Sequence, residues 1–73
     1  MLLQAKDQAS FWAKIEMDGA EYWARYSVEG SVNGQAVTQA DKKMFASEEQ
    51  ARAWVVAEGE KRGFKDVKPE MPN

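Results

Sequence analysis

Chemistry in a protein chain usually starts from histidine, cysteine or a close pair of carboxylates, and this sequence supplies only the last. Among its 73 residues there is no histidine and no cysteine. The commonest general base, the usual zinc ligands and every thiolate nucleophile are therefore missing. Paired carboxylates do occur, Glu48 beside Glu49 and Glu58 two residues before Glu60. Such a pair does acid–base work only when its environment drives the two groups apart in pKa. On a helix surface it is solvated charge, and that reading is preferred. Ser10, Ser27, Ser31 and Ser47 stand in no nucleophile context, and Gly30 and Gly34 are spaced for turns rather than for a phosphate-binding loop. The residues predict a protein that is not an enzyme, holds no metal and needs no cofactor.

What remains is recognition. Residues 21–28 read EYWARYSV. In a strand, Tyr22, Ala24, Tyr26 and Val28 share one face, and Glu21, Trp23, Arg25 and Ser27 share the other. Residues 10–18 alternate the same way, with Phe11, Ala13, Ile15 and Met17 opposite Trp12, Lys14, Glu16 and Asp18. Paired as a hairpin, the two strands put Trp12, Lys14, Trp23 and Arg25 on one face, away from the apolar set. Exposed tryptophan with arginine is the composition of binding hot spots, and an arginine near a ring holds it flat and open. The alternative is that residues 1–3 or the C-terminal tail fold over these rings, as small domains cover apolar patches. Trp54 calls for no partner: with Ala51 and Val55 it lies on one helical face and reads as core.

The elements that position these residues follow from local signals. Asp18-Gly19, or Gly19-Ala20, closes the first hairpin, and either choice keeps the two apolar faces together. The second strand is expected over residues 20–29, with a bend or bulge at Gly30. Asn33-Gly34 closes a second hairpin into a third strand within residues 35–45. Its middle, residues 39–43, alternates poorly, which predicts an irregular or edge strand guarded by Lys42 and Lys43. A helix then starts at Ser47, an N-cap completed by Gln50 as a capping box. Glu48 and Glu49 suit the positive end of its dipole, and Lys61 and Arg62 the negative end. Gly63 and Phe64 form its C-terminal cap. Because Glu58 interrupts the apolar stripe and Gly59 weakens the helix, the last turns are expected to leave the sheet. A short strand is expected over residues 66–68, before Pro69 and Pro72. Residues 1–9 are either an extra strand or a loose arm, and residues 69–73 a tail.

The bulk numbers set bounds on function. A chain of 73 residues makes one small domain and buries only about 60% of its unfolded surface, so packing alone, with no disulfide, must hold it. Net charge is −2, from 10 basic and 12 acidic residues, which counts against a broad phosphate-binding surface. Leu2 and Leu3 are followed at once by Lys6 and Asp7. No apolar run suits a signal peptide or membrane span, and the expected location is the cytoplasm.

The run Tyr22-Trp23-Ala24-Arg25-Tyr26, followed by Phe45-Ala46-Ser47-Glu48-Glu49-Gln50-Ala51-Arg52-Ala53-Trp54, resembles the amino-terminal domain of phage-type tyrosine recombinases over roughly residues 11–60. That family's domain is a three-stranded antiparallel sheet packed on one helix, and it grips DNA with the sheet's exposed face. The resemblance implies that Trp12, Lys14, Trp23, Arg25 and Lys42 or Lys43 would face DNA. Two departures stand out. Glu16, Glu21 and Glu29 interrupt a face that is more basic in the family, and no recombinase catalytic segment follows within these residues.

The sequence thus predicts an α+β domain, β-β-β-α with room for a short fourth strand: an antiparallel sheet of three or four strands with one helix on one face. Its expected function is that of an interaction module whose Trp12/Trp23 face, with Lys14, Arg25, Lys42 and Lys43, takes a protein partner or a second copy of the chain. Nucleic acid on the same face is the alternative. Salt separates the two, since DNA binding weakens steeply as salt rises.

Overall fold

The computed structural model describes residues 3–72, and two tight turns lay out its sheet. Gly19 and Ala20 form a two-residue loop between β1 (Ser10–Asp18) and β2 (Glu21–Val32), with Asp18 opposite Glu21. Of the two, only Gly19 has positive φ, 63°, as a II′ turn requires. Asn33 and Gly34 join β2 to β3 (Gln35–Phe45) with φ of 53° and 79°, the pair of left-handed residues that defines a I′ turn. The result is a three-stranded antiparallel sheet in the order β1-β2-β3, followed by the helix α1 (Glu48–Lys61). This is the α+β arrangement expected from the sequence.

One face of the sheet becomes the core. Phe11, Ala13 and Ile15 of β1 and Ala24, Tyr26 and Val28 of β2 meet Ala51 and Val55 of α1. Ile15, Val28, Val55 and Leu3 are the largest side chains fully removed from water. Alanine at 13, 24 and 51 lets the helix backbone come close to the strands. A chain of rings runs across this interface. Phe64, Phe11, Tyr26, Trp54 and Phe45 follow one another with centroids 5.4, 5.5, 5.4 and 5.8 Å apart, the spacing at which aromatic pairs attract beyond their area burial. Trp54 is half-buried at the margin rather than enclosed. It covers Tyr26 and Phe45 from the helix side.

Both ends of the helix are capped, but of the expected capping box only the Ser47 half is formed among the described residues. Ser47 Oγ accepts from the Gln50 backbone N–H at 3.2 Å. At the far end Gly63 N–H reaches the Glu60 carbonyl at 2.9 Å and Phe64 N–H reaches the Gly59 carbonyl at 3.0 Å. Those two bonds, with Gly63 at φ 86°, make a Schellman cap.

Several expectations are corrected. The last turns of α1 stay on the sheet. Glu58 does not turn the helix away, because its carboxylate pairs with Arg62 at 3.2 Å and Lys61 at 3.3 Å. Arg62 is itself buried and donates to the Tyr26 hydroxyl at 3.2 Å. Gly59 is buried because a Cβ there would stand 2.5 Å from Val67 Cγ2 and 3.3 Å from Phe11; its missing side chain is space for the tail. β2 passes through Gly30 without a bulge, paired in register with Val37. A Cβ at Gly30 would lie 3.0 Å from the Ala9 Cβ and 3.1 Å from Leu3. β3 is regular over its full length, although it is an edge strand. Residues 66–68 form no strand, since Asp66 is left-handed at φ 55°. The tail pairs one step later, where Glu70 bridges Lys14 in parallel. Within residues 1–9, Leu3 is a core residue, 1% exposed, leading into a 3₁₀ turn at Ala5–Asp7. Among the described residues no helix is long and apolar enough to cross a membrane.

Two variants test this packing. Ser47→Ala removes the N-cap acceptor and should lower stability by about 1 kcal/mol, read as a fall in melting temperature; an unchanged melt would mean the helix does not depend on this cap. Gly59→Ala gains about 1 kcal/mol of helix propensity but collides with Val67. It should melt lower than the parent and speed amide exchange at Ile15, whose N–H is held by Glu70 at 2.8 Å. A higher melting temperature would show that propensity outweighs the wedge.

Candidate functional site

The strand register builds the opposite face of the sheet row by row. From the first turn outward the rows are Asp18 with Glu21, then Glu16-Trp23-Met44, Lys14-Arg25-Lys42, Trp12-Ser27-Ala40 and Ser10-Glu29-Thr38. The helix lies on the other side. Leu3 also packs there, against Gly30. The tail runs along the edge of β1, where Glu70 exchanges backbone bonds with Ala13 and Ile15 at 2.9 and 2.8 Å. The tail reaches Trp12 from the side, where the ring shares a depression with residues 64–68 and Glu70, whereas the depression beside Trp23 is lined by sheet residues; among the described residues neither Leu3 nor the tail covers both rings, as the alternative required. Met1, Leu2 and Asn73 lie outside the described residues.

Trp12, Lys14, Trp23, Arg25 and Lys42 share this face, as expected. Lys43 does not. It pairs with Ala24 on the helix side, and its Nζ lies 5.5 Å from the Phe45 ring centroid. Two-residue closure at Asn33-Gly34 already sets that parity, so the signal was present in the sequence. The tryptophans are also not side by side. The Lys14-Arg25-Lys42 row lies between them, which puts Trp12 and Trp23 about 13 Å apart along the strand direction.

Each ring carries its own cation. The Arg25 guanidinium sits 5.5 Å from the Trp12 ring centroid, and Lys42 Nζ sits 5.4 Å from that of Trp23. Each such contact is worth about 0.5–1 kcal/mol at an exposed site. Arg25 also pairs with Glu16 at 2.9 Å, both side chains nearly half exposed, a contact of small energetic value in water. Trp23 Nε1 donates to Asp18 Oδ2 at 3.2 Å, so its polar edge is engaged, and the residue is half-buried. Trp12 keeps 46% of its surface in solvent. Alternation had already put Glu16 and Asp18 on this surface; it did not assign Lys42 to Trp23, nor Met44 and Ala40 to the face, and the last two follow once the register is fixed.

A shallow depression lies on each side of the cation row. One is lined by Trp12, Arg25, Ser27, Ala40 and Lys42, the other by Glu16, Asp18, Trp23, Arg25 and Lys42. Three cations in register across neighbouring strands repel one another, as like charges directly opposite do. Among the described residues only Arg25 of the three has a carboxylate partner on this face. The surface can thus offer two flat apolar platforms and a line of positive charge between them. Four carboxylates share the same face: Glu16, Asp18 and Glu21 towards the first turn, and Glu29 at the other end. Among the described residues no group of three His, Cys, Asp or Glu could hold a metal ion.

Comparison of the chain with family models, with curated proteins and with solved structures finds no match.

Replacing Trp12 and Trp23 together with serine should leave the fold intact, because neither side chain belongs to the core. Far-UV circular dichroism and a cooperative melt should persist, with a loss of no more than about 2 kcal/mol from reduced strand propensity. An unfolded double variant would show that the rings are structural.

Proposed function

We propose that this protein is a small non-enzymatic interaction module that binds a partner protein through the open face of its sheet. The observation that carries the reading is the pair of tryptophans on the sheet face away from the helix, Trp12 exposed and Trp23 half-buried, each held by a cation on one rigid sheet. Rings fixed in this way lose little freedom when they dock, which is how aromatic anchors come to dominate interface energy. The row between them favours a partner that brings apolar surface for both rings and carboxylates for Lys14 and Lys42. A second copy docked face to face fits poorly, because the Lys14-Arg25-Lys42 row would meet itself.

The same row favours a second reading, single-stranded nucleic acid with bases stacked on Trp12 and Trp23. The four carboxylates of the face weigh against it, since they outnumber the three cations and would repel a polyanion along the strands. The resemblance to the recombinase domain points to DNA on this face, and Lys42 rather than Lys43 is the lysine available for it.

The test is a selection of displayed random peptides on the wild-type protein, counter-screened on the Trp12→Ser/Trp23→Ser variant. Selected peptides should combine acidic with apolar residues. They should shift the indole signals of Trp12 and Trp23 but not that of Trp54, and should bind the variant about tenfold more weakly or worse. Peptides that bind the variant equally well, or that shift Trp54 alone, would overturn the proposal. A thymidine oligonucleotide that shifts the same two indoles, with affinity falling steeply as salt rises, would establish the second reading instead.

A further inference from the structure

The two edges of the sheet are treated differently. On β1 the backbone groups that point outward belong to Phe11, Ala13, Ile15 and Met17, and the chain's own tail occupies the middle of that edge, Glu70 bonding the Ala13 carbonyl and the Ile15 N–H. The outer edge of β3 carries no strand among the described residues. Long regular edges of this kind are templates for another strand, and natural proteins usually blunt them with bulges, proline or outward lysine. β3 has neither bulge nor proline over its 11 residues. Its lysines do not guard it either. Lys42 turns inward over Trp23 on β2, and Lys43 lies over Phe45 of its own strand. From this we infer that β3 is a self-association edge: two copies pair antiparallel through it, centred on Ala40, to form a continuous six-stranded sheet.

The register follows from parity and charge. A two-residue hairpin closes on a hydrogen-bonded pair, here Val32 with Gln35. By alternation, Ala36, Thr38, Ala40, Lys42 and Met44 then point their N–H and C=O groups outward. The same alternation from Asp18 opposite Glu21 turns Ala13 and Ile15 outward on β1, where both are seen bonded to Glu70. Pairing about Ala40 uses the whole of β3 and opposes outward residue to outward residue. It sets Lys42 against Thr38, Asp41 against Gln39 and Lys43 against Val37, so no like charges meet. A register centred on Asp41 opposes two aspartates and one centred on Lys42 opposes two lysines, while centres nearer Gln35 shorten the overlap. One local bond must be exchanged: Lys42 N–H, now held by the Asp41 carboxylate at 2.8 Å, would pass to the Thr38 carbonyl of the second copy.

The helices do not obstruct this arrangement. Each lies chiefly over β2, and the two β2 strands would be three strand spacings apart, about 14 Å, against a helix diameter of about 10 Å. Both helices would sit on one side of the joined sheet and both Trp12/Trp23 faces on the other. Two binding faces on one rigid sheet would convert weak single contacts into a bivalent one. The pairing does not rest on the proposed function of that face, because no tryptophan takes part in it.

Sedimentation equilibrium from micromolar to millimolar concentration tests the inference. The wild type should approach twice its 8.2 kDa mass at the upper end. Ala40→Pro removes only an outward N–H, which an edge strand tolerates, and should stay monomeric while folded by circular dichroism. Thr38→Lys sets a new lysine against Lys42 of the other copy twice per dimer, while facing Glu29 within its own sheet; it should weaken association about fivefold or more without loss of monomer stability. Should the proline variant fail to fold, the Thr38→Lys result decides. The Trp12→Ser/Trp23→Ser variant should dimerise like the wild type. A wild type monomeric at millimolar concentration, or a dimer indifferent to Thr38→Lys, would overturn the inference. So would a dimer abolished by the tryptophan changes alone, which would move self-association to the open face.

Discussion

Arg62 is the residue on which the remaining packing converges. Its side chain is buried, 5% exposed, and it joins three parts of the chain. One nitrogen donates to the Tyr26 hydroxyl on β2, another to the Glu58 carbonyl and carboxylate on α1, and the guanidinium lies 4.9 Å from the Tyr26 ring centroid. Its own carbonyl accepts from Ala5 N–H at 2.8 Å, which ties in the N-terminal arm. A buried cation costs several kcal/mol unless it is paired and hydrogen-bonded. Here Glu58 supplies the counter-charge, while Nε finds no partner among the described residues. Removing either Glu58 or Tyr26 would leave the remaining charge less well satisfied, so the end of the helix is pinned to the middle of the sheet.

This anchor explains why parts of the fold were legible in the sequence and others were not. Hairpins and helix caps were legible because their chemistry is local: Gly19, Asn33-Gly34, Ser47 and Gly63 act within a few residues of themselves. The course of the helix beyond Val55 was not. Glu58 reads as a break in an apolar stripe unless its partner four residues on is known to be buried with it. Gly30 and Gly59 misled for a similar reason. Each looks like a local weakness, yet each is small because a distant segment, Leu3 with Ala9 or Val67, passes against it. The path of the tail to Glu70 has no local signal at all.

The candidate site divides along the same line. Strand alternation was enough to gather Trp12, Lys14, Trp23 and Arg25 on one face, and the second turn fixes Lys42 there and Lys43 on the other side. Which cation lies over which ring depends on side-chain rotamers that no periodicity encodes. Together these contacts suggest how a chain of this size keeps one sheet face uncovered. The charged ends of Arg25 and Lys42 lie over the Trp12 and Trp23 rings, so a cation rather than another chain segment shields part of each.

The attachment of the tail also has a dynamic side. Glu70 is joined to β1 by only two backbone bonds, and the chain loop they close spans most of the molecule. Such closure costs entropy that a single bridge offsets poorly, whereas both hairpins close over two residues. Side-chain packing adds to that bridge, with Phe64 on Phe11, Val67 over Gly59 and Met71 against the core, so the stretch after Gly63 opens only when those contacts are released. Each opening would bare the outward carbonyl of Ala13 and the N–H of Ile15 and offer an extended segment to proteases. In that respect the sheet has one permanent edge and one intermittent edge, and the lifetime of the second is set by Glu70, Pro69 and the space left at Gly59.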